Sequence, residues 1–323
     1  MKNNLTYIAE LCQNHNGKFK NVEKMVGECA SYGADIVKLQ YIYAKNLSYR
    51  PRFENGIFYN SKVYSIKRPF KSEFNRLKKL ELPEKSFEKF VKLCEKYSVT
   101  PLVTCFSRDH VDKIYNLGFR SVKVASYDCS SFQLLRELSK KFNELVISTG
   151  ATFDDEIEKS VEILKENKTK FTLLHCITLY PTPLNYLNLA RIKFLKKFTD
   201  NVGYSDHSLS TNKRKNLASL CSIYFGAKYI ERHIRIFDHD KSKDGKVSIL
   251  PEEIKEILKF SKLNKDDQRK YLKDKFKINP KNFYGKEKRK LTHNELLNRD
   301  YYRGRFCAKS SIRDIYNWEE VKI

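Results

Sequence analysis

Short apolar runs alternate along this chain with longer segments whose apolar residues recur every three to four positions. The apolar runs are "TYIAELC" (6–12), "DIVKLQY" (35–41), "TPLVTCF" (100–106), "SVKVAS" (121–126), "ELVISTG" (144–150), "FTLLHC" (171–176), "NVGYSD" (201–206) and "AKYIERHI" (227–234). Between them lie segments of helical period, such as "FKNVEKMVGECASYG", "SRDHVDKIYNLG", "SSFQLLRELSKKF" and "FDDEIEKSVEILKEN". Near-continuous apolar strands separated by amphipathic helices belong to a parallel sheet covered on both faces. Eight such units predict an α/β fold of the (β/α)8 TIM-barrel type. An open doubly wound sheet is the competitor, but "CQNHNG" after the first strand does not supply its G-x-G-x-x-G phosphate loop.

Two segments break the rhythm. Residues 42–85 form a long insertion after strand 2, expected over the barrel mouth, where so long a loop generally serves a ligand. Residues 263–323 read as a C-terminal tail or linker-like extension rather than a complete second domain. The catalytic barrel is expected to occupy residues 1–262.

Active sites of such barrels gather at the C-terminal ends of the strands. Those ends carry Glu10, Lys38, Gln40, Thr104, Lys123, Ser126, Ser148, Thr149, His175 and Thr178. The last two strands add Ser205, Asp206, His207, Glu231, Arg232 and His233. Buried without partners, such groups would cost about 1–3 kcal/mol each, so a ligand that pairs with them is expected. Two lysines among hydroxyls suit a phosphate, and imidazoles beside carboxylates suit a divalent metal. His207 and His233 lie one βαβ step apart, and neighbouring strands run about 4.8 Å apart. Spacing alone leaves two readings open: both rings grip one ion, or His207 caps a turn while His233 is a satisfied core residue. His15, in the turn-rich "NHNG", reads equally as a turn residue or a substrate contact. The run "FDHDKSKDG" lacks the ligand spacing of a calcium loop.

Composition narrows the partners. The formal charge is +24, yet the lysines are spread along helical segments where they alternate with Glu. A solvated surface is therefore expected and a nucleic-acid partner is not. The eight cysteines form no C-x-x-C pair, which speaks against a zinc ribbon and for free thiols in a reducing compartment. No apolar run is long enough for a membrane helix, and the N-terminus lacks a signal-peptide h-region. A cytoplasmic protein without a membrane partner is expected.

"AELCQNHNG", "VKLQ", "VASYD", "STGA", "LLHCITLYPTP", "VGYSDHS" and "YIERHI" followed by "SILPEE" occur in this order at the strand ends. Together, over residues 6–255, they resemble the sialic acid synthase family, which includes N-acetylneuraminate, legionaminate and pseudaminate synthases. The resemblance implies a (β/α)8 barrel that condenses phosphoenolpyruvate with an N-acylated hexosamine aldehyde, releases phosphate by C–O cleavage and serves a surface glycan. It implies a divalent metal, manganese first and magnesium or cobalt as alternatives, on His207 and His233. It places Lys38, Thr104, Lys123, Ser126, Ser148 and Ser205 around phosphoenolpyruvate, and Gln40, Glu10 and Asp244 near the sugar or the reacting carbons. Glu231 would orient a water or a hydroxyl. Thr178 stands where relatives commonly have Asn or Ser, an altered phosphate contact.

Relatives also carry a small antifreeze-like domain whose arginine reaches a partner's site. No complete domain of this kind is expected within residues 263–323, so Arg303 and Arg305 are weighed as substitutes and a homodimer stays open. The rival readings are a synthase acting on a sugar phosphate, with Arg50, Arg52, Lys67 and Arg68 as a second phosphate pocket, and a non-catalytic barrel that binds a polyanion.

Overall fold

The computed structural model describes residues 5–323. Eight parallel strands close into a barrel: β1 (Thr6–Glu10), β2 (Ile36–Tyr41), β3 (Thr100–Cys105), β4 (Ser121–Val124), β5 (Glu144–Ser148), β6 (Lys170–His175), β7 (Val202–Asp206) and β8 (Tyr229–Ile234). Each pairs with the next, and β1 pairs with β8, so that Glu10 has Lys38 on one side and His233 on the other. Closure leaves none of the eight barrel strands as a free edge, and a two-residue strand, Ser248–Ile249, adds to the end of β8. The TIM barrel expected from the apolar runs is therefore present, with every strand within about two residues of its expected span.

A second period lies hidden inside the apolar runs. Side chains along a strand alternate between faces. Tyr7, Val37, Val103, Val122, Leu145, Leu173, Val202 and Ile230 point outward and pack under the helices in one large core. Ile8, Leu102, Val146 and Leu174 form a small apolar cluster of their own inside the barrel. Two residues further along the same strands come Glu10, Thr104 and Ser148, so a polar layer rests on an apolar plug. Gly203 makes room in the plug, since a Cβ there would lie 2.3 Å from the Tyr229 carbonyl oxygen.

The same alternation separates the polar residues at the strand tips. Arg232 and Asp206 point away from the interior, both fully buried, and pair with each other. Arg232 also donates to Ser208 and to the Lys215 carbonyl. They hold the loop after β7 rather than facing a ligand. His175 also faces outward, its Nε2 2.7 Å from the Leu187 carbonyl.

The insertion at 42–85 folds into a short helix (Arg52–Asn55), a hairpin (Ile57–Tyr59 with Lys62–Ser65) and a longer helix (Phe70–Leu80). Residues 263–323 carry helices Lys265–Phe276 and His293–Tyr302 and the hairpin Cys307–Lys309 with Asp314–Tyr316. Thr292 caps the second helix through the Glu295 N–H, and Glu295 reaches back to the Thr292 N–H. All eight cysteines are buried and free. Among the described residues, no helix is long and apolar enough to cross a membrane.

Candidate active site

A cavity of about 670 Å³ opens at the C-terminal end of the strands. Its wall includes Glu10, Lys38, Gln40, Thr104, Lys123, Ser126, Ser148, Ser205, His207, Glu231, His233 and Asp244. Of the residues that the family resemblance places in the site, Thr178 alone is off this wall, and of the other strand-end candidates Thr149, His175, Asp206 and Arg232 are off it too. Thr178 lies three residues past the end of β6, where the strand's alternation no longer directs it inward, and it is fully buried. His15 also stays off the wall; its Nδ1 accepts the Gly17 N–H at 3.1 Å, the turn role.

Lys38 and Lys123 are the only buried lysines among the described residues. Each reaches the cavity floor because β2 and β4 turn these positions inward. Lys38 pairs with Glu10 and lies 3.0 Å from Glu231. Lys123 donates to Ser148 Oγ at 2.6 Å and lies 3.8 Å from Glu231. Ser205 Oγ donates to the same carboxylate at 2.7 Å.

Two ammonium groups thus share two carboxylates, Glu10 and Glu231. Burial alone would lower Lys38, but Glu10 and Glu231 lift it above its ordinary value. Lys123 has less compensation: burial brings it down to about 8 against the pull of Glu231. Burial would raise the Glu231 carboxyl, but Lys123, Lys38 and the Ser205 hydroxyl hold it well below the usual range. A buried, charged floor of this kind can accept an anion that displaces part of the internal pairing.

The rings of His207 and His233 lie 5.4 Å apart, edge to face. His207 Nδ1 lies 3.1 Å from the Ile177 carbonyl, which fixes that nitrogen as the protonated one and leaves Nε2 with its lone pair. Nε2 in turn lies 3.0 Å from the Tyr180 hydroxyl, whose ring stacks on the imidazole. Burial and the neighbouring His233 push His207 down to about 3, so it is neutral at physiological pH.

His233 Nδ1 is buried without a hydrogen-bond partner and lies 3.8 Å from Asp244. One ligand atom each from Cys12, His233 and Asp244 lie within 4.8 Å of one another. Neutral imidazole, carboxylate and a sulfur donor are metal-competent groups, so these residues fit a divalent cation. Asp244 is brought there by Asn14, whose side chain accepts the Asp244 N–H and donates to the Ile234 carbonyl. Gly245 permits the turn, because any Cβ would fall 1.8 Å from the His239 carbonyl oxygen.

Several site residues escape a sequence reading. Cys12, beside His233 but not on the wall, looks like one more small apolar residue, and Tyr180 like a loop tyrosine. Gln13, Glu73, Arg76, Asn298 and Tyr302 also line the cavity, as does Arg305, weighed above as a substitute arginine. Of the four residues considered as a second phosphate pocket, only Arg68 reaches it. Arg50 is turned onto the carbonyls of Asp300 and Arg303, and Arg52 onto the Asp300 carboxylate.

Fold and site together define a (β/α)8-barrel protein with two buried lysines at the floor of its mouth cavity, beside metal-competent donors. More narrowly, the chain belongs to the NeuB family, whose model matches residues 25–267. It is 32% identical over 255 residues to the N,N'-diacetyllegionaminic acid synthase of Campylobacter jejuni, covering 77% of this chain and 72% of that protein. The pseudaminic acid synthase of the same species is 27% identical over 258 residues, covering 78% of this chain and 71% of that one. A crystal structure of an N-acetylneuraminic acid synthetase from Leptospira borgpetersenii superposes with a TM-score of 0.69 at 26% identity, over 93% of this chain and 92% of that one. A DAHP synthase from Thermotoga maritima shares the fold, with a TM-score of 0.57 at 17% identity, over 85% of this chain and 70% of that one.

Proposed function

We propose that this protein is a nonulosonic acid synthase, condensing phosphoenolpyruvate with the open-chain aldehyde of an N-acylated hexosamine. The observation that carries the reading is the pair of buried lysines on the cavity floor beside His207 and His233. In this reading residues 1–262 are the catalytic barrel and 263–323 an extension that helps to wall its mouth.

Lys38 and Lys123, with Thr104, Ser126, Ser148 and Ser205 around them, hold the anionic ends of phosphoenolpyruvate. Its enol carbon attacks the aldehyde carbon, forming the new C–C bond. Positive charge then develops at the carbon bearing the phosphate, and the ionised carboxylates of Glu231 and Glu10 stabilise it. Water adds to that carbon, the C–O bond to phosphate breaks, and a 2-keto acid remains. His207 and His233, with Cys12 and Asp244 in reach, would hold a divalent cation, manganese in this reading, whose chemistry is Lewis-acid polarisation of the aldehyde oxygen. Gln40 and Asp244, nearer the mouth, orient the sugar.

The test is phosphate release from phosphoenolpyruvate with a panel of N-acylated hexosamines, with manganese, with chelator, and in His207→Ala. Release should depend on both metal and sugar and collapse in the variant. Manganese titration of His207→Ala and Cys12→Ser, followed by electron paramagnetic resonance, reads the ligand set without turnover. Undiminished release in chelator would remove the metal from the mechanism, and release without any sugar would remove the condensation.

A further inference from the structure

Ile57, Phe58, Tyr59 and Tyr64 are all exposed to solvent, Phe58 and Tyr59 by 62% and 66%. They belong to the hairpin of the insertion, Ile57–Tyr59 with Lys62–Ser65, which is a separate two-stranded sheet. Side chains alternate along a strand, so Phe58 and Tyr59 leave by opposite faces, and both are open. The hairpin is nonetheless a built element. Asn60 and Ser61, at φ +44° and +59°, supply the two left-handed positions that a type I′ turn requires. At its base Ser65 is buried, the Val63 carbonyl lies 2.9 Å from His293 Nε2, and a Cβ on Gly56 would fall 2.8 Å from the Ser65 carbonyl oxygen. The result is an arm with an anchored base and bare rings toward its tip. Single apolar residues on a surface are ordinary, but four on one arm mark a contact surface.

The charge around the arm narrows its partner. Residues 50–72 contain Arg50, Arg52, Lys62, Lys67, Arg68 and Lys71 against one acid, Glu54. Arg50 is spent on the carbonyls of Asp300 and Arg303, Arg52 on the Asp300 carboxylate, and Glu54 accepts the Phe70 N–H at 2.7 Å. Lys62, Lys67, Arg68 and Lys71 are exposed, and none of them pairs with a carboxylate among the described residues. A second copy would bring the same excess of cations to the contact and a formal +24 overall, so like charge opposes it. A platform for single-stranded RNA sets its rings along one face, and a folded acidic partner covers one face and leaves the other bare. An anionic lipid surface meets the whole set. Its headgroups attract the cations, and the region beneath them closes around apolar rings on both faces. Tyr and Phe flanked by Lys and Arg is the composition that lies at such an interface.

We infer that the hairpin at 57–65 is a peripheral membrane anchor: Phe58, Tyr59 and Tyr64 enter the headgroup region of an anionic phospholipid surface, and Lys62, Lys67 and Lys71 pair with its phosphates. Arg68 borders the cavity, so the arm stands beside the barrel mouth and docking brings the mouth close to the lipid. Anchoring of this kind needs no spanning helix, so the lack of long apolar runs, from which no membrane partner is expected, does not bear on it. The inference is independent of the synthase reading.

The experiment is co-sedimentation of the full chain with vesicles of phosphatidylcholine alone and of phosphatidylcholine with phosphatidylglycerol, at low and high salt. Wild type should pellet with the anionic vesicles at low salt and stay in solution with the neutral ones. A chain of +24 also adsorbs to anionic surfaces through scattered lysines, and Phe58→Ser/Tyr59→Ser separates the two cases because it leaves every charge in place. Partitioning should fall by about tenfold or more in this variant, and by about the same factor in Lys62→Gln/Lys67→Gln. All four positions are exposed, so the Tm of both variants should match wild type. In Tyr59→Trp, emission should shift to the blue on binding and be quenched by brominated phosphatidylglycerol, which reads insertion of the arm itself. Wild type that stays in solution with anionic vesicles overturns the inference, as does unchanged partitioning of Phe58→Ser/Tyr59→Ser. Quenching in Tyr59→Trp no greater than in wild type, whose sole tryptophan is Trp318, also overturns it. A wild-type dimer or RNA complex that is lost in Phe58→Ser/Tyr59→Ser gives the arm to that partner and overturns it as well.

Discussion

Raising the pH through 8 should discharge Lys123 and weaken anion binding on the cavity floor. Burial lowers this ammonium from 10.5 to about 8, with Glu231 only partly offsetting the loss. Lys38 moves the other way, because Glu10 and Glu231 hold its proton, and it stays charged over the same range. A bound anion retains the Lys123 proton, so the dissociation constant of phosphoenolpyruvate should rise by up to about tenfold per pH unit above 8.

Removing the charge altogether, in Lys123→Met, should cost about 1.5–3 kcal/mol of anion binding at pH 7.5 and flatten the profile above pH 8. Stability should run in the opposite direction. The folded state releases this proton at about 8 and the unfolded chain at its ordinary 10.5. Between those values the unfolded chain binds more protons, so wild type gains stability with rising pH relative to Lys123→Met. The full gain is about 3 kcal/mol across the window. Calorimetry of phosphoenolpyruvate at constant ionic strength and thermal denaturation over pH 7–10.5 measure the two effects. Affinity that is flat from pH 7.5 to 9.5, with Lys123→Met binding as tightly as wild type, refutes the reasoning.

Glu231→Gln should leave Lys38 and Lys123 short of a counter-charge and destabilise the fold by about 3–5 kcal/mol. For a chain of 323 residues that is a fall in Tm of about 4–7 °C, and phosphoenolpyruvate should restore part of it. Arg232→Met should cost a similar amount, because it strands buried Asp206. Since Arg232 faces outward, the variant that remains folded should bind phosphoenolpyruvate as wild type does, which a titration of the folded fraction checks. Gly203→Ala should lose at least about 1–3 kcal/mol to the clash with the Tyr229 carbonyl, read as a lower denaturant midpoint.

Much of the architecture was written into the order of residues. Eight apolar runs, each followed by an amphipathic segment, can cover a sheet on both faces only with helices outside, and a (β/α)8 barrel satisfies that. The strand-tip residues were legible for the same reason: alternation along a strand is a local property. Counting by two from Ile8, Leu102 and Val146 leads to Glu10, Thr104 and Ser148. The same count sends Arg232 and Asp206 outward, a distinction that a list of polar tips does not make.

What the linear pattern could not reveal is which distant groups meet. Glu73 and Arg305 are 232 positions apart and form an ion pair. Cys12 and Asp244 meet at His233 because closing the barrel brings β1 beside β8 and Asn14 ties down the loop beyond. Periodicity determines which face of its own element a side chain occupies. Ring closure and the packing of the two mouth segments decide what stands across the cavity from it, because those contacts depend on the path of the whole chain.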